Sequence, residues 1–195
     1  MTATLECLKK FGHDGLSVRR ISAEAGVSMG LINHYFSGIS GLVTAAYDSL
    51  STTLLEATRA QALAAGEAPR AGMHAFFEAS FAPEALDPAL FRIWLVFWSL
   101  VPHSAEMRAV HDRNYEATRA TLEALLGRLR RVAGVPAFRI SGAAIALEAL
   151  IAGLWIELSL NQQSFAATDA VALCDDWVAA LASGAFPGLR AGRRA

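Results

Sequence analysis

The sequence predicts an all-α protein built as a small N-terminal bundle followed by a larger helical part. Three observations carry this. The 195 residues are rich in Ala and Leu and hold only six Pro, a composition that favours helix. Apolar residues recur at helical spacings, and no alternating apolar–polar run bounded by turn dipeptides marks a strand. The stretch from Ser17 to Leu42 reads as two short helical runs joined by Ala25-Gly26-Val27-Ser28, the sequence form of a helix-turn-helix. At 54% hydrophobic and 18% charged, the chain can bury a sizeable core and is not a disordered segment.

The first helix is expected over Thr4–Phe11, with Leu5, Leu8 and Phe11 on one face and Gly12 at its end. Ser17 caps a second helix that runs to Ala25, with Val18, Ile21 and Ala25 inward and Arg19 and Arg20 outside. Gly26 supplies the positive φ of a sharp turn, and Ser28 caps the third helix, Met29–Phe36. Ile32 and Phe36 anchor that helix, leaving Met29, Gly30, Asn33 and His34 on its outer side. A long fourth helix, Ile39–Leu63, carries an inner stripe of Leu42, Ala46, Ser49/Leu50 and Leu54.

Ala65-Gly66-Glu67-Ala68-Pro69 is the clearest break. Five further helices are predicted beyond it, over about Arg70–Phe81, Pro88–Val101, Ala105–Val132, Phe138–Asn161 and Thr168–Leu181, punctuated by Pro83, Pro88, Pro102 and Pro136. The domains divide as 1–47, 48–186 and a flexible tail, 187–195. The apolar run Ile140–Leu160 contains Glu148 and Glu157. A carboxylate near a bilayer centre costs about 2.5–3.5 kcal/mol, so a helix of a soluble protein, buried on most sides, is expected there and no membrane span.

Charge and cysteine usage narrow the function classes. The net charge of −1 gives no global positive field, and residues 1–47 carry Lys9, Lys10, Arg19 and Arg20 against Glu6, Asp14 and Glu24, a local +1. Any nucleic-acid contact must therefore be local. Cys7 and Cys174 fit no metal or redox spacing and read as small buried thiols of a cytoplasmic protein. Lys9-Lys10 follow the first apolar positions, against the order of a signal peptide. His103, His111 and Asp112 make no compact chelate, so neither metal nor cofactor is expected. His13 and His74 read as surface residues. No catalytic constellation or Gly-rich phosphate loop appears, so an enzyme is not expected.

With Ser17-Val18, Ile21, Ala25-Gly26-Val27-Ser28, Gly30, His34-Tyr35-Phe36 and Gly41-Leu42 in place, the chain resembles the TetR family of one-component regulators over its whole length. A narrower resemblance is to the choline-sensing BetI branch. It rests on Asn33–Phe36, on Trp94-Leu95-Val96-Phe97-Trp98-Ser99 followed by Val101-Pro102-His103-Ser104, and on Gly153-Leu154-Trp155. Where the family usually carries a phosphate-binding Lys at the start of the fourth helix, this chain has Ile39.

The resemblance implies about nine helices, an operator-binding homodimer paired through its last two helices, and a small-molecule effector that releases repression. Its pattern places Ser17, Ser28, Met29, Gly30, Asn33, His34 and Tyr35 at operator DNA. For the effector it points to Phe91, Trp94, Phe97, Trp98, Tyr115 and Trp155, with Asp112 and Glu157 as candidate carboxylates. Aromatic faces and a carboxylate can cage a quaternary ammonium such as choline, which ties the branch to glycine betaine biosynthesis, and the same aromatics can equally be core filler. Two alternatives stay open: a regulator of this fold sensing an apolar ligand, and a helical ligand-binding module with weakened DNA binding.

Overall fold

A computed structural model describes residues 1–36, 38–161 and 163–191. Among them are nine α-helices: α1 (Thr2–Phe11), α2 (Val18–Ala25), α3 (Met29–Tyr35), α4 (Gly38–Ala64), α5 (Pro69–Ser80), α6 (Pro88–Leu100), α7 (Ala105–Arg130), α8 (Ile140–Leu160) and α9 (Ala167–Ala182). The all-α class holds: the only β pairing among the described residues is an isolated bridge between Phe138 and Arg190.

The contacts group the chain into two compact units, and the grouping does not follow the linear division at 47/48. One unit comprises Met1–Leu54 with Asp87–Tyr115, the other Leu55–Leu86 with Glu116–Ala195. Both α4 and α7 contribute to each.

In the first unit, Ser17 accepts a hydrogen bond from the Arg20 N–H at 3.2 Å and so starts α2. Gly26 ends it with φ 66° and ψ 29°. The Val27 N–H reaches the Ser22 carbonyl at 3.0 Å and the Gly26 N–H the Ala23 carbonyl at 3.3 Å, the paired bonds of a Schellman turn. Ser28 then accepts from the Leu31 N–H at 3.2 Å and starts α3. Cys7, Ile21, Ile32 and Leu42 form the core of this bundle. Leu8, Val43, Ala46, Tyr47, Ile93, Phe97, Met107 and Val110 form a second core, of α1, α4, α6 and α7. Ile39 packs against both, which is an apolar role for the position where the family usually has Lys.

Two side chains expected inward are not. Phe11 is 48% exposed, and the Arg20 guanidinium sits 4.8 Å from its ring centre, a cation–π contact that holds it at the surface. Thr4, Cys7 and Leu8 take the inner face of α1 instead. Ala25 is exposed at the end of α2, and Ser22 is buried with its hydroxyl donating to the Arg19 carbonyl.

In the second unit, Met73, Phe76 and Phe77 of α5 pack with Leu122, Leu125, Leu126 and Leu129 of α7, Ala143, Ala144 and Leu147 of α8, and Cys174, Val178 and Leu181 of α9. Glu148, 8% exposed, accepts from Arg119 Nε at 3.3 Å and Nη2 at 3.2 Å. Helix α8 departs from expectation. Only 28% of its apolar window is buried, because α9 and the core cover one side and leave Ile145, Ala149, Ala152, Gly153 and Leu160 exposed. By length and composition alone it could cross a membrane, yet one of its carboxylates is buried against Arg119.

The stretch expected as a flexible tail is instead tied down as far as Ala191. Pro187–Leu189 forms a 3₁₀ turn, the Arg139 N–H donates to the Leu189 carbonyl at 2.7 Å, and the Ala191 N–H donates to the Ala137 carbonyl at 3.1 Å. Residues 192–195 of that expectation lie outside the described residues.

Candidate nucleic-acid interface and effector region

Helix α3 turns its polar and apolar outer residues to solvent because Ile32, 5% exposed, and half-buried Phe36 fix its inner side. Ser28, Met29, Gly30, Asn33, His34 and Tyr35 are all exposed, and the structure brings them together on one short helix and its cap. Tyr35 is 70% exposed, its ring edge-on to His34 at 5.0 Å. Ser17 is half-buried and engaged as the cap of α2.

Gly30 has no internal reason to be glycine. Its φ is not positive, and an added Cβ would meet nothing closer than the Ser28 hydroxyl at 3.9 Å. Glycine inside a helix costs about 1 kcal/mol relative to Ala, so the choice suits a surface that another body approaches closely. Leu31, 46% exposed, and Val27, 38% exposed, join this surface. In the sequence, an apolar side chain next to a core residue reads as core, which hides both.

The basic residues of the bundle are largely occupied. Lys9 lies 3.2 Å from Glu6, and Lys10 donates to Glu24 at 2.9 Å. That hydrogen bond pushes the Lys10 pKa up. Arg20 donates to the Gly15 carbonyl while covering Phe11.

The aromatic residues of α6 and α7 gather around one residue of α4. Tyr47 of α4 is 3% exposed. Trp94 stands edge-on to it at 5.5 Å, Phe97 lies at 5.0 Å, and His111 stacks at 6.2 Å with the planes 12° apart. Trp98 extends the row from Trp94 at 5.9 Å, and Tyr115 extends it from His111 at 5.9 Å. The Tyr47 hydroxyl lies 2.7 Å from His111 Nδ1. Burial, with Asp112 nearby, pushes the Tyr47 pKa up to about 12, so the phenol stays protonated. Phe91 is buried in the same unit. Trp155 belongs to the other unit, where its indole N–H donates to the Ala85 carbonyl at 2.9 Å. The signal for Tyr47 and His111 was available: each sits on the inward side of an amphipathic helix, where a polar aromatic needs a partner.

An open cleft of about 380 Å³ in the second unit is lined by Arg70, Ala71, His74, Asp175 and Val178. His74 Nδ1 lies 2.6 Å from Asp175, with Glu78 at 3.5 Å, and the hydrogen bond to Asp175 pushes its pKa up. Among the described residues no group of three or more His, Cys, Asp or Glu is placed to hold a metal.

Comparison with known proteins sets this geometry in context. Residues 1–46 match the bacterial regulatory proteins of the tetR family, and residues 69–183 match the BetI-type transcriptional repressor C-terminal region. The HTH-type transcriptional regulator BetI of Burkholderia thailandensis is 30% identical over 176 residues, 90% of this chain and 88% of that protein. A crystal structure of a protein described as a transcriptional regulator, from Pseudomonas aeruginosa PAO1, is 42% identical. It covers 97% of this chain and 91% of its own, with a TM-score of 0.88. A regulator from Saccharomonospora viridis, solved in complex with choline, shares the fold at 18% identity and a TM-score of 0.74, covering 91% of this chain and 94% of its own.

Proposed function

The chain belongs to the TetR family of bacterial regulatory proteins, with a BetI-type C-terminal region, and from that membership we propose a homodimeric cytoplasmic repressor that leaves its operator when it binds choline or a similar quaternary ammonium. It is a DNA-binding transcriptional regulator and not an enzyme.

The observation that carries the mechanism is the position of α4 between two cores of one unit. Leu42 lies in the core of the helix-turn-helix, and its neighbour Val43 lies in the core of the aromatic row. Four residues on, Tyr47 stands among Trp94, Phe97 and His111. A cation entering that row shifts α4, and α4 carries the shift to the packing of α3. Close-packed cores pass on such displacements because they do not deform continuously. The aromatic faces of Trp94, Trp98 and Tyr115, with the exposed carboxylate of Asp112, suit an ammonium ion.

Two further features support the dimer. Exposed Ile145, Ala149, Ala152 and Leu160 form an apolar stripe on α8 that one chain leaves uncovered. Gly153 sits among them with open space around it, and glycine there costs helix stability unless a second helix approaches. A two-fold pair of α3 helices would then read half-sites about 34–36 Å apart.

Fluorescence anisotropy with duplex from upstream of the chain's own gene, with and without choline, tests the proposal. Binding that weakens with choline supports it. Binding untouched by choline but weakened by a flat hydrophobe would replace the cation with an apolar effector.

A further inference from the structure

We propose that Leu31 and Met29 read thymine in the operator, through the 5-methyl group that thymine presents in the major groove. The inference rests on the reading of α3 as the recognition helix and gives that helix a base preference.

Helix α3 has seven residues, and Ile32 serves as its buried anchor. Leu31 is 46% exposed and Met29 51% exposed, and neither belongs to the core cluster of the bundle. Leu31 flanks one side of the outward strip made by Gly30 and His34, and Met29 flanks the other, beside Asn33. Both side chains border the strip and can pack against an apolar group brought up to it. In a major groove the apolar feature is the thymine methyl.

The rest of the helix points to the same base pair. Sequence MGLINHY contains no Lys or Arg, so the bidentate contact to guanine is missing from α3. Asn33, exposed, has the donor and acceptor that match adenine, the partner of thymine. Gly30, with no Cβ and open space around it, lets the helix approach closely enough for contacts as short-ranged as methyl packing. Lys9, Lys10 and Arg20 make contacts within the bundle, and none of them lies on α3.

The test uses the full-length protein and a duplex enriched by it from a random pool at low salt. Each thymine of that duplex is replaced singly by deoxyuridine, which removes only the methyl. At one or more positions per half-site, affinity is expected to fall about threefold to fivefold, the worth of one buried methyl. Leu31→Ala or Met29→Ala should erase the loss at its own position without lowering the melting temperature, and Leu31→Val should retain part of it. Enrichment of a duplex in which every uracil is tolerated overturns the proposal and leaves α3 as the recognition helix. So does a uracil loss that persists undiminished in both Ala variants. Failure to enrich any duplex overturns the proposal together with the reading it rests on.

Discussion

The Tyr47 hydroxyl and His111 Nδ1 are 2.7 Å apart, so one hydrogen bond joins α4 to α7 inside the row of rings. The hydroxyl serves as donor or acceptor, whichever tautomer His111 adopts. The residue after Tyr47 repeats the tie: Asp48 accepts from Arg113 at 2.9 Å and from Asn114 at 3.2 Å.

Tyr47→Phe keeps the ring and leaves His111 Nδ1 without this partner. Stability is expected to fall by about 1 kcal/mol, read as a lower urea midpoint at unchanged m-value. Because the same bond holds α4 to α7, the variant should also show a smaller effect of choline on DNA affinity. Unchanged stability and unchanged response would remove Tyr47–His111 from the mechanism.

The turn between α2 and α3 should be sensitive at two residues for different reasons. Gly26→Ala forces a side chain into φ 66° and should destabilise by about 1 kcal/mol. Ser28→Ala removes the acceptor for the Leu31 N–H and should cost about 0.5–2 kcal/mol. Denaturant melts of the two single variants check both values.

His74 gives a pH dependence with a definite sign. Its folded pKa lies above the ordinary value of about 6.5 because Asp175 accepts its hydrogen bond, with Glu78 adding to the field. The extra stability is therefore fully present below about pH 6.5 and is lost as pH rises through the raised folded value. The side chain is 48% exposed, so the effect is small. In melting curves from pH 5 to 9, the advantage of the native protein over His74→Gln should shrink with rising pH. An advantage that grows with pH would contradict the pairing.

Arg119 and Glu148 form the buried pair of the second unit, with side chains 30% and 10% exposed. Arg119→Ala removes the Nε and Nη2 hydrogen bonds to the Glu148 carboxylate and is expected to cost about 1.5–3 kcal/mol. Replacing both partners by apolar residues of similar size, Arg119→Met with Glu148→Leu, should recover most of that loss. A thermal-unfolding cycle of the two singles and the double separates the energy of the charge pair from lost packing.

The helices were legible because their ends are chemically marked. Ser17, Gly26, Ser28, Pro69, Pro88 and Asn161 all sit within a residue of an observed boundary. Which faces are buried was less legible. Phe11 fits the apolar spacing of α1, but Arg20, nine residues on, gives its ring a place at the surface. Helix α8 reads as buried on most sides, because apolar periodicity cannot distinguish a side chain covered by its own chain from one left open. In the candidate effector region, Trp94, Phe97, Trp98 and Tyr115 were visible as aromatics, whereas their assembly around Tyr47 depends on contacts between residues up to 64 positions apart, Tyr47 to His111. On α3 the polar outer residues were visible, and Leu31 was hidden by its resemblance to core.

One coupling, from the rings around Tyr47 through α4 to α3, underlies the proposed response to choline. Its most direct test is a DNA titration of the full-length protein at fixed salt, with choline absent and saturating, on the duplex the protein itself enriches. Binding is expected to weaken with choline by about 5- to 150-fold, equivalent to about 1–3 kcal/mol, with the reciprocal loss of choline affinity when DNA is bound. Identical titrations, with choline binding confirmed independently by calorimetry, would contradict it.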